Sequence, residues 1–287
     1  MDAVALYARG KINWALKVLG RRPDGYHELD TLFQSVEVGD VLRIQRAERD
    51  ELVCGAAFVP GDESNLAFRA LGALRQIAPG FPVRMTLEKR IPVAGGMAGG
   101  SADAAAALLG LDRLWGLNLP RQRLMEVGLT LGADVPFCLM GGAARSFGVG
   151  ERLRALSVPV IHLVLANPGQ GVSTPRAFQA LDYRSLDGVG LDGVQRALVA
   201  GDLSALNGML ANDLLSPALK LCPPIQRLLQ LMRSAGATAV GMSGSGPTVF
   251  GIFPTARHAQ RAAKRLRPRT AWCEATQTAQ EGLSWIE

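Results

Sequence analysis

Apolar and polar residues alternate through the first fifty-five positions, in stretches rich in β-formers: Ala3 to Ala8, Ile12 to Leu19, Leu29 to Val38, Val41 to Arg46 and Leu52 to Cys54. This period of two predicts an antiparallel sheet, with turns at Arg22-Pro23-Asp24-Gly25 and at Gly39-Asp40. Ser64 or Asn65 is placed to cap a helix running to Ile77, and Phe81 to Lys89 alternates again as a strand. After Pro92 and a glycine cluster, an Ala/Leu helix is predicted from Ser101 to Leu114, and a second from Pro120 to Leu131, with proline at its start. Ala143 to Leu156 reads as a hairpin and Val158 to Leu165 as a buried strand.

Beyond that strand the pattern changes. Helical periodicity dominates from Pro175 to Ala235. Strands follow at Thr238 to Met242 and Thr248 to Phe253, then a helix at Ala256 to Leu266 and a strand at Thr270 to Ala275. Helix, strand, strand, helix, strand is the order of a ferredoxin-like α+β layer. The expected division is residues 1–155 for a β-rich first domain and 156–287 for the second.

Composition narrows the chemistry. The chain has 287 residues, 48% hydrophobic and 20% charged, which is globular rather than disordered. The net charge of +6 rests almost wholly on arginine, since only five of 31 basic residues are lysine. Those charges are scattered, so they give a general attraction for anions without the basic, aromatic-interleaved patch of a nucleic-acid binder. The four cysteines lie far apart, with no C-x-x-C and no histidine at ligand spacing, which argues for free thiols in a reducing cytoplasm and against structural zinc. No secretory signal opens the chain, and the charge-free windows at 155–175 and 234–256 are broken by Gly, Pro, Ser and Asn, so no membrane partner is expected.

With 33 glycines, the chain is richer in that residue than usual, and their placement is informative. Ile91-Pro-Val-Ala-Gly-Gly-Met-Ala-Gly-Gly-Ser-Ala-Asp follows a strand and opens a helix. It puts Gly95, Gly96, Gly99 and Gly100 where backbone N–H groups close on an anion without Cβ interference, with the positive end of a helix behind them. The natural guest is phosphate; a mobile turn is the alternative. Ser101 stands where the Walker motif requires lysine, so this is not a P-loop. The formal G-x-G-x-x-G at Gly188, Gly190 and Gly193 follows a helical segment rather than a strand and is a decoy for dinucleotide binding.

Other candidates also carry bland readings. Gly241-Met-Ser-Gly-Ser-Gly246 between two strands suits a wide hairpin turn. Lys11 and Asn13 share one face of a strand, though an isolated lysine is usually solvated. Tyr26 and His27, one of three histidines, follow a turn. Asp134 is either the cap of a short helix or a base at a partly desolvated site.

Together these segments resemble the kinase superfamily of galactokinase, homoserine kinase, mevalonate kinase and phosphomevalonate kinase, the GHMP kinases. The combination of Arg22-Pro-Asp-Gly-Tyr-His27, Thr130-Leu-Gly-Ala-Asp-Val-Pro136 and Gly241-Met-Ser-Gly-Ser-Gly246 is similar, over the whole chain, to the branch whose acceptor is 4-(cytidine 5′-diphospho)-2-C-methyl-D-erythritol. The resemblance implies a two-domain α+β fold and transfer of the ATP γ-phosphoryl group to the 2-hydroxyl of that acceptor, in the non-mevalonate route to isoprenoid precursors. It implies that Asp134 accepts or orients the hydroxyl proton, and that Lys11 pairs with Asp134 and stabilises charge on the transferring group. Nucleotide contacts fall to Asn65 and Lys89 near the adenine, and to Val93, Ala94, Gly95, Gly96, Met97, Ala98, Gly99, Gly100, Ser101 and Ala102 around the phosphates, with Gly241 and Gly244 on the facing loop. Asn13, Tyr26 and His27 match acceptor positions: Tyr26 would stack on cytosine, His27 would read its edge, and Phe178 would supply a second ring. Magnesium is implied by ATP chemistry, with no carboxylate assigned to it, and the oligomeric state is left open.

Some positions depart from the family pattern. Ala98 and Ala102 replace a common glycine and a second serine, Arg9-Gly10 replaces Pro-Ala, and Trp14 replaces leucine. A homoserine- or mevalonate-type kinase would keep the loop and the base without needing Tyr26-His27. A silent nucleotide- or RNA-binding protein on the same fold would have no use for Asp134 beside the phosphate loop.

Overall fold

The computed structural model of the chain describes residues 2–56, 59–186 and 190–287. The opening alternation folds into two strands longer than the sequence predicts, β1 (Ala3–Arg21) and β2 (His27–Arg46), paired antiparallel from Ala3↔Gln45 to Arg21↔His27. The turn at 22–25 forms as expected. The one expected at Gly39-Asp40 does not, and β2 continues through it. Gly39 is there for close approach, because a Cβ would sit 2.6 Å from the carbonyl oxygen of Ala8. The register of the pair shifts between Arg9 and Lys11, between Asn13 and Ala15, and between Val18 and Gly20. Such bulges bend a long ribbon and let it serve two layers.

Next in the chain come β3 (Glu51–Cys54), α1 (Leu66–Arg75), β4 (Val83–Glu88), α2 (Gly99–Trp115), α3 (Arg121–Leu131), α4 (Val135–Met140), β5 (Ala143–Gly148) and β6 (Arg152–Leu156). β2 pairs with β4 through residues 41–46 and with β5 through residues 29–34, so one strand supports two branches of a sheet ordered β3-β4-β2-β1, with the hairpin of β5 and β6 attached to β2. α1 and α2 cover this sheet. The run Ala104–Ala107 is fully buried, and small side chains there let α2 lie close to Leu6, Leu42 and Ile44. Gly110 continues that contact: a Cβ there would meet Ile44 Cδ1 at 2.7 Å.

The second layer begins with β7 (His162–Asn167), which starts four residues later than its apolar run predicts. Pro159 supplies no N–H, and Ile161 N donates instead to the Thr278 hydroxyl, at 2.9 Å. Helices α5 (Thr174–Gln179), α6 (Asp192–Ala200) and α7 (Leu215–Leu221) are inserted before α8 (Pro224–Ser234), β8 (Ala239–Met242), β9 (Val249–Phe253), α9 (Ala256–Leu266) and β10 (Trp272–Gln277). The antiparallel order β10-β7-β9-β8, with α8 and α9 packed on it, is the ferredoxin-like arrangement. A final short strand, β11 (Leu283–Trp285), returns to pair with β1 and was not anticipated.

The β1 ribbon joins both layers. Leu16 and Val18 pack with Val164, Ile225 and Phe253 of the second, and Trp14 meets Phe250 edge-on, with centroids 5.5 Å apart. Trp14, in place of leucine, thus fills the seam. The decoy motif includes Gly188, which lies outside the described residues; Gly190 is loop and Gly193 lies in α6. Among the described residues, no helix is long and apolar enough to cross a membrane, no group of three metal-ligating side chains comes together, and all four cysteines are free thiols.

Candidate active site

The glycine segment leaves β4 and enters α2 with two alanines in the left-handed region, Ala94 (φ 51°) and Ala98 (φ 55°). Each costs about 1–2 kcal/mol that glycine would not. Ala98 is the residue before α2, and no side chain caps the helix there. The first-turn N–H groups of α2 therefore remain for an anion, with the helix dipole behind them.

The second glycine loop closes on the first. Gly96 has φ 75°, and a Cβ on it would lie 2.3 Å from Ser243 O. Gly244 has φ 55° and faces Gly96 O at 3.0 Å on the same test. Ser243 Oγ donates to Gly96 O (2.8 Å) and accepts from Asn13 N (3.3 Å), while Thr248 N donates to Gly95 O (3.2 Å). Lys11 N donates to Met97 O at 3.0 Å, so strand β1 is pinned to the same loop. Gly10 fits this approach: a Cβ there would crowd Met97 O at 3.3 Å.

Lys11 is buried, and its ammonium lies 2.8 Å from Asn13 Oδ1, 3.5 Å from Asp134 Oδ2 and 4.7 Å from the centre of the Phe33 ring. Asn13 Nδ2 donates to Thr31 Oγ1 (2.8 Å), which in turn donates to Ala15 O (2.7 Å). The network thereby turns the amide oxygen of Asn13 toward Lys11. Asp134 precedes α4, but its side chain makes no capping bond. It keeps 31% of its side-chain surface exposed, against 5% for Lys11. The carboxylate is held by one cation and open to the cavity.

Lys89 is committed elsewhere. Its ammonium contacts Asp40 and Asp103, the latter at 2.6 Å, with all three groups nearly inaccessible. Asp40 also accepts from Ile91 N at 2.9 Å. The Asp103 Oδ1 is buried without a hydrogen-bond partner. Burial raises the Asp103 carboxyl to about 8, with the charge of Asp40 adding to the rise and Lys89 opposing it. For Lys89, burial works against the cation, but Asp103 and Asp40 outweigh it and raise its pKa. This triad fastens both ends of the phosphate loop to β2 and α2.

A single cavity of about 1080 Å³ joins these parts. Its wall includes Lys11, Asn13, Asn65, Lys89, Val93, Ala94, Gly95, Gly96, Ala98, Gly99, Gly100, Ser101, Asp134 and Gly244, and at its other end Tyr26, His27 and Phe178. Three expected nucleotide residues are not on the wall. The Met97 and Ala102 side chains enter the core, and Gly241 lies in β8, where a Cβ would meet the Phe250 ring at 2.4 Å. Asn65 caps α1 through Ala67 N and donates to Pro60 O, both at 2.9 Å, so its amide is engaged within the chain.

At the far end Tyr26 is 62% exposed. His27 lies flat on Phe178, with centroids 4.2 Å apart and planes at 17°, so the imidazole covers the ring face expected to receive a base. His27 Nε2 and the Tyr183 hydroxyl are 2.7 Å apart. Burial, helped by the positive charge of Arg21, lowers the pKa of His27 and favours its neutral form. Sequence reasoning missed Asp40, Asp103 and Tyr183. Asp103 carried a usable signal, since a lone carboxylate within Ala102–Ala107 must be paired if that face is buried.

The family described as GHMP kinases N terminal domain matches residues 65–142, and GHMP kinases C terminal matches 194–270. A 4-diphosphocytidyl-2-C-methyl-D-erythritol kinase of Rhizobium etli is 43% identical over 96% of this chain and 95% of its own length. One from a Thermoanaerobacter strain is 36% identical over the whole of both chains. A crystal structure of 4-(cytidine 5′-diphospho)-2C-methyl-D-erythritol kinase superposes with a TM-score of 0.82 at 36% identity, covering 96% of this chain and 99% of that one. A homoserine kinase from Cytophaga hutchinsonii, at 19% identity and a TM-score of 0.76, shares the fold. Identity of this extent over nearly full length, on a fold with both halves matched, makes the chain a member of the 4-diphosphocytidyl-2-C-methyl-D-erythritol kinase family of GHMP kinases.

Proposed function

We propose that the chain transfers the γ-phosphoryl group of ATP to the 2-hydroxyl of 4-(cytidine 5′-diphospho)-2-C-methyl-D-erythritol, in the non-mevalonate route to isoprenoid precursors. The observation that carries this reading is the position of the Lys11–Asp134 pair, on the wall of one cavity that has a glycine cradle at one end and an aromatic cluster at the other. ATP phosphates would rest on the backbone of residues 95–100 and the start of α2, and the cytidine end of the acceptor at Tyr26 and His27, with Phe178 behind the imidazole. The acceptor hydroxyl then lies between them, at Asp134.

The acceptor oxygen bonds to the γ-phosphorus as the bond from that phosphorus to the bridging oxygen breaks. Asp134 takes the hydroxyl proton, and ADP leaves. Lys11, held by Asn13, orients Asp134 and meets charge on the equatorial oxygens, an electrostatic role suited to a reaction needing little covalent help. A magnesium ion bound with the nucleotide would neutralise phosphate charge, and it needs only one or two protein oxygens. Ser101, on the cavity wall in the first turn of α2, fits that need. The free thiols are consistent with a cytoplasmic enzyme.

The test is ADP release with ATP, magnesium and a panel of acceptors. The cytidine-diphospho compound is expected to support turnover, while mevalonate and homoserine do not. Asp134→Asn is expected to lower kcat by roughly 10²–10⁴-fold with ATP affinity retained. Equal turnover of mevalonate or homoserine, with none of the cytidine compound, would reject the reading.

A further inference from the structure

His27 has two ring nitrogens, and in a neutral imidazole one donates while the other accepts. Its Nε2 is engaged by the hydroxyl of Tyr183, at 2.7 Å, and its ring lies nearly parallel to those of Phe178 (centroids 4.2 Å apart, planes at 17°) and Tyr183 (6.3 Å, 13°). Nδ1 is the remaining polar atom of a ring on the cavity wall. The proton position on such a ring is set by the partner of the other nitrogen. A phenol is a good donor, and a Tyr183 hydroxyl donating to Nε2 leaves the proton on Nδ1. Nothing in the proposed phosphoryl transfer uses Tyr183.

We propose that Tyr183 is a specificity-determining positioning residue: its hydroxyl fixes the orientation and tautomer of His27 so that Nδ1–H donates to the acceptor's pyrimidine, favouring cytosine over uracil. The inference rests on the cytidine reading above. Cytosine offers an unprotonated ring nitrogen, N3, beside its O2 carbonyl, where uracil offers N–H. A donor held at that edge pairs with the first and opposes the second, and discrimination of this kind is larger than any apolar pocket gives. Arg21, on the same wall, disfavours a second proton on the ring. Tyr183 is 43% exposed, so its hydroxyl can be removed without disturbing the core.

The experiment compares CDP and UDP binding by calorimetry in the wild type and Tyr183→Phe, together with ¹⁵N spectra of labelled histidine without ligand. The wild type is expected to prefer CDP, with Nε2 of His27 unprotonated. Tyr183→Phe is expected to shift the proton toward Nε2 and to weaken CDP about tenfold with UDP nearly unchanged, raising KM for the acceptor and sparing kcat and KM for ATP. In a His27→Ala background the same substitution should cost nothing further. A wild type without preference for CDP would overturn the cytidine reading, and this inference with it. A preference for CDP that survives in Tyr183→Phe would overturn the inference alone.

Discussion

At the phosphate end of the cavity, a Cβ added to Gly96 would lie 2.3 Å from Ser243 O, and Asp40 and Asp103 hold Lys89 in nearly complete burial. At the acceptor end, Tyr26 is 62% exposed and Tyr183 43%, on a turn and a short helical segment. The first region is made of backbone shape and buried charge, the second of side chains standing on the surface. On the proposed reading, ATP phosphates are read by N–H groups that any residue supplies, so what matters there is how closely two loops approach. On the same reading the acceptor is distinguished by its base, and recognising a base takes rings and hydrogen-bonding edges. Changes at the phosphate end should therefore cost stability and activity together, and changes at the acceptor end activity alone.

The largest effect is expected of Gly96→Ala. The left-handed φ costs an alanine about 1–2 kcal/mol, and forcing the two loops apart adds about 1–3 kcal/mol more. A combined loss of roughly 2–5 kcal/mol is expected in chemical denaturation, with a raised KM for ATP. If the variant is as stable as the wild type, the two loops are not one rigid unit.

Tyr26→Ala is the matching change at the other end. Loss of a stacked ring is expected to weaken acceptor binding by about 1–3 kcal/mol, roughly 5- to 150-fold in KM. Its exposure leaves little packing to lose, so the denaturation midpoint should stay within about 0.5 kcal/mol of wild type. A clear fall in stability would erase the distinction between the two regions.

The same contrast explains what was legible in the sequence. The glycine loop ahead of α2 was legible because glycines followed by a helix start are a local signal, and the ferredoxin-like layer because helical and alternating periods succeed one another along the chain. Gly39-Asp40 misled because a glycine needed for close approach to Ala8 looks like one needed for a turn. The Lys89 triad was hidden because its partners lie 49 and 14 residues away, and ion pairs leave no period. β11 is three residues long, too short to show alternation. Tyr183 meets His27 across 156 residues through packing of the two layers, which no local pattern encodes.

The smallest effect expected is a gain. Ala98 opens α2 at φ 55°, ψ 32°, a conformation that costs alanine about 1–2 kcal/mol and glycine little. Glycine returns about 0.5–1 kcal/mol of that through the greater freedom of the unfolded chain. Ala98→Gly should therefore stabilise the protein by at most about 1.5 kcal/mol, a rise in Tm of up to about 4 °C for a chain of this size. If phosphates are held by backbone alone, KM for ATP will not move, since the substitution keeps the dihedral angles and adds no group. A rise in KM with unchanged Tm would instead mean that the Ala98 methyl, which packs against the first-domain core, steers the loop, and that side chains matter at the phosphate end as well.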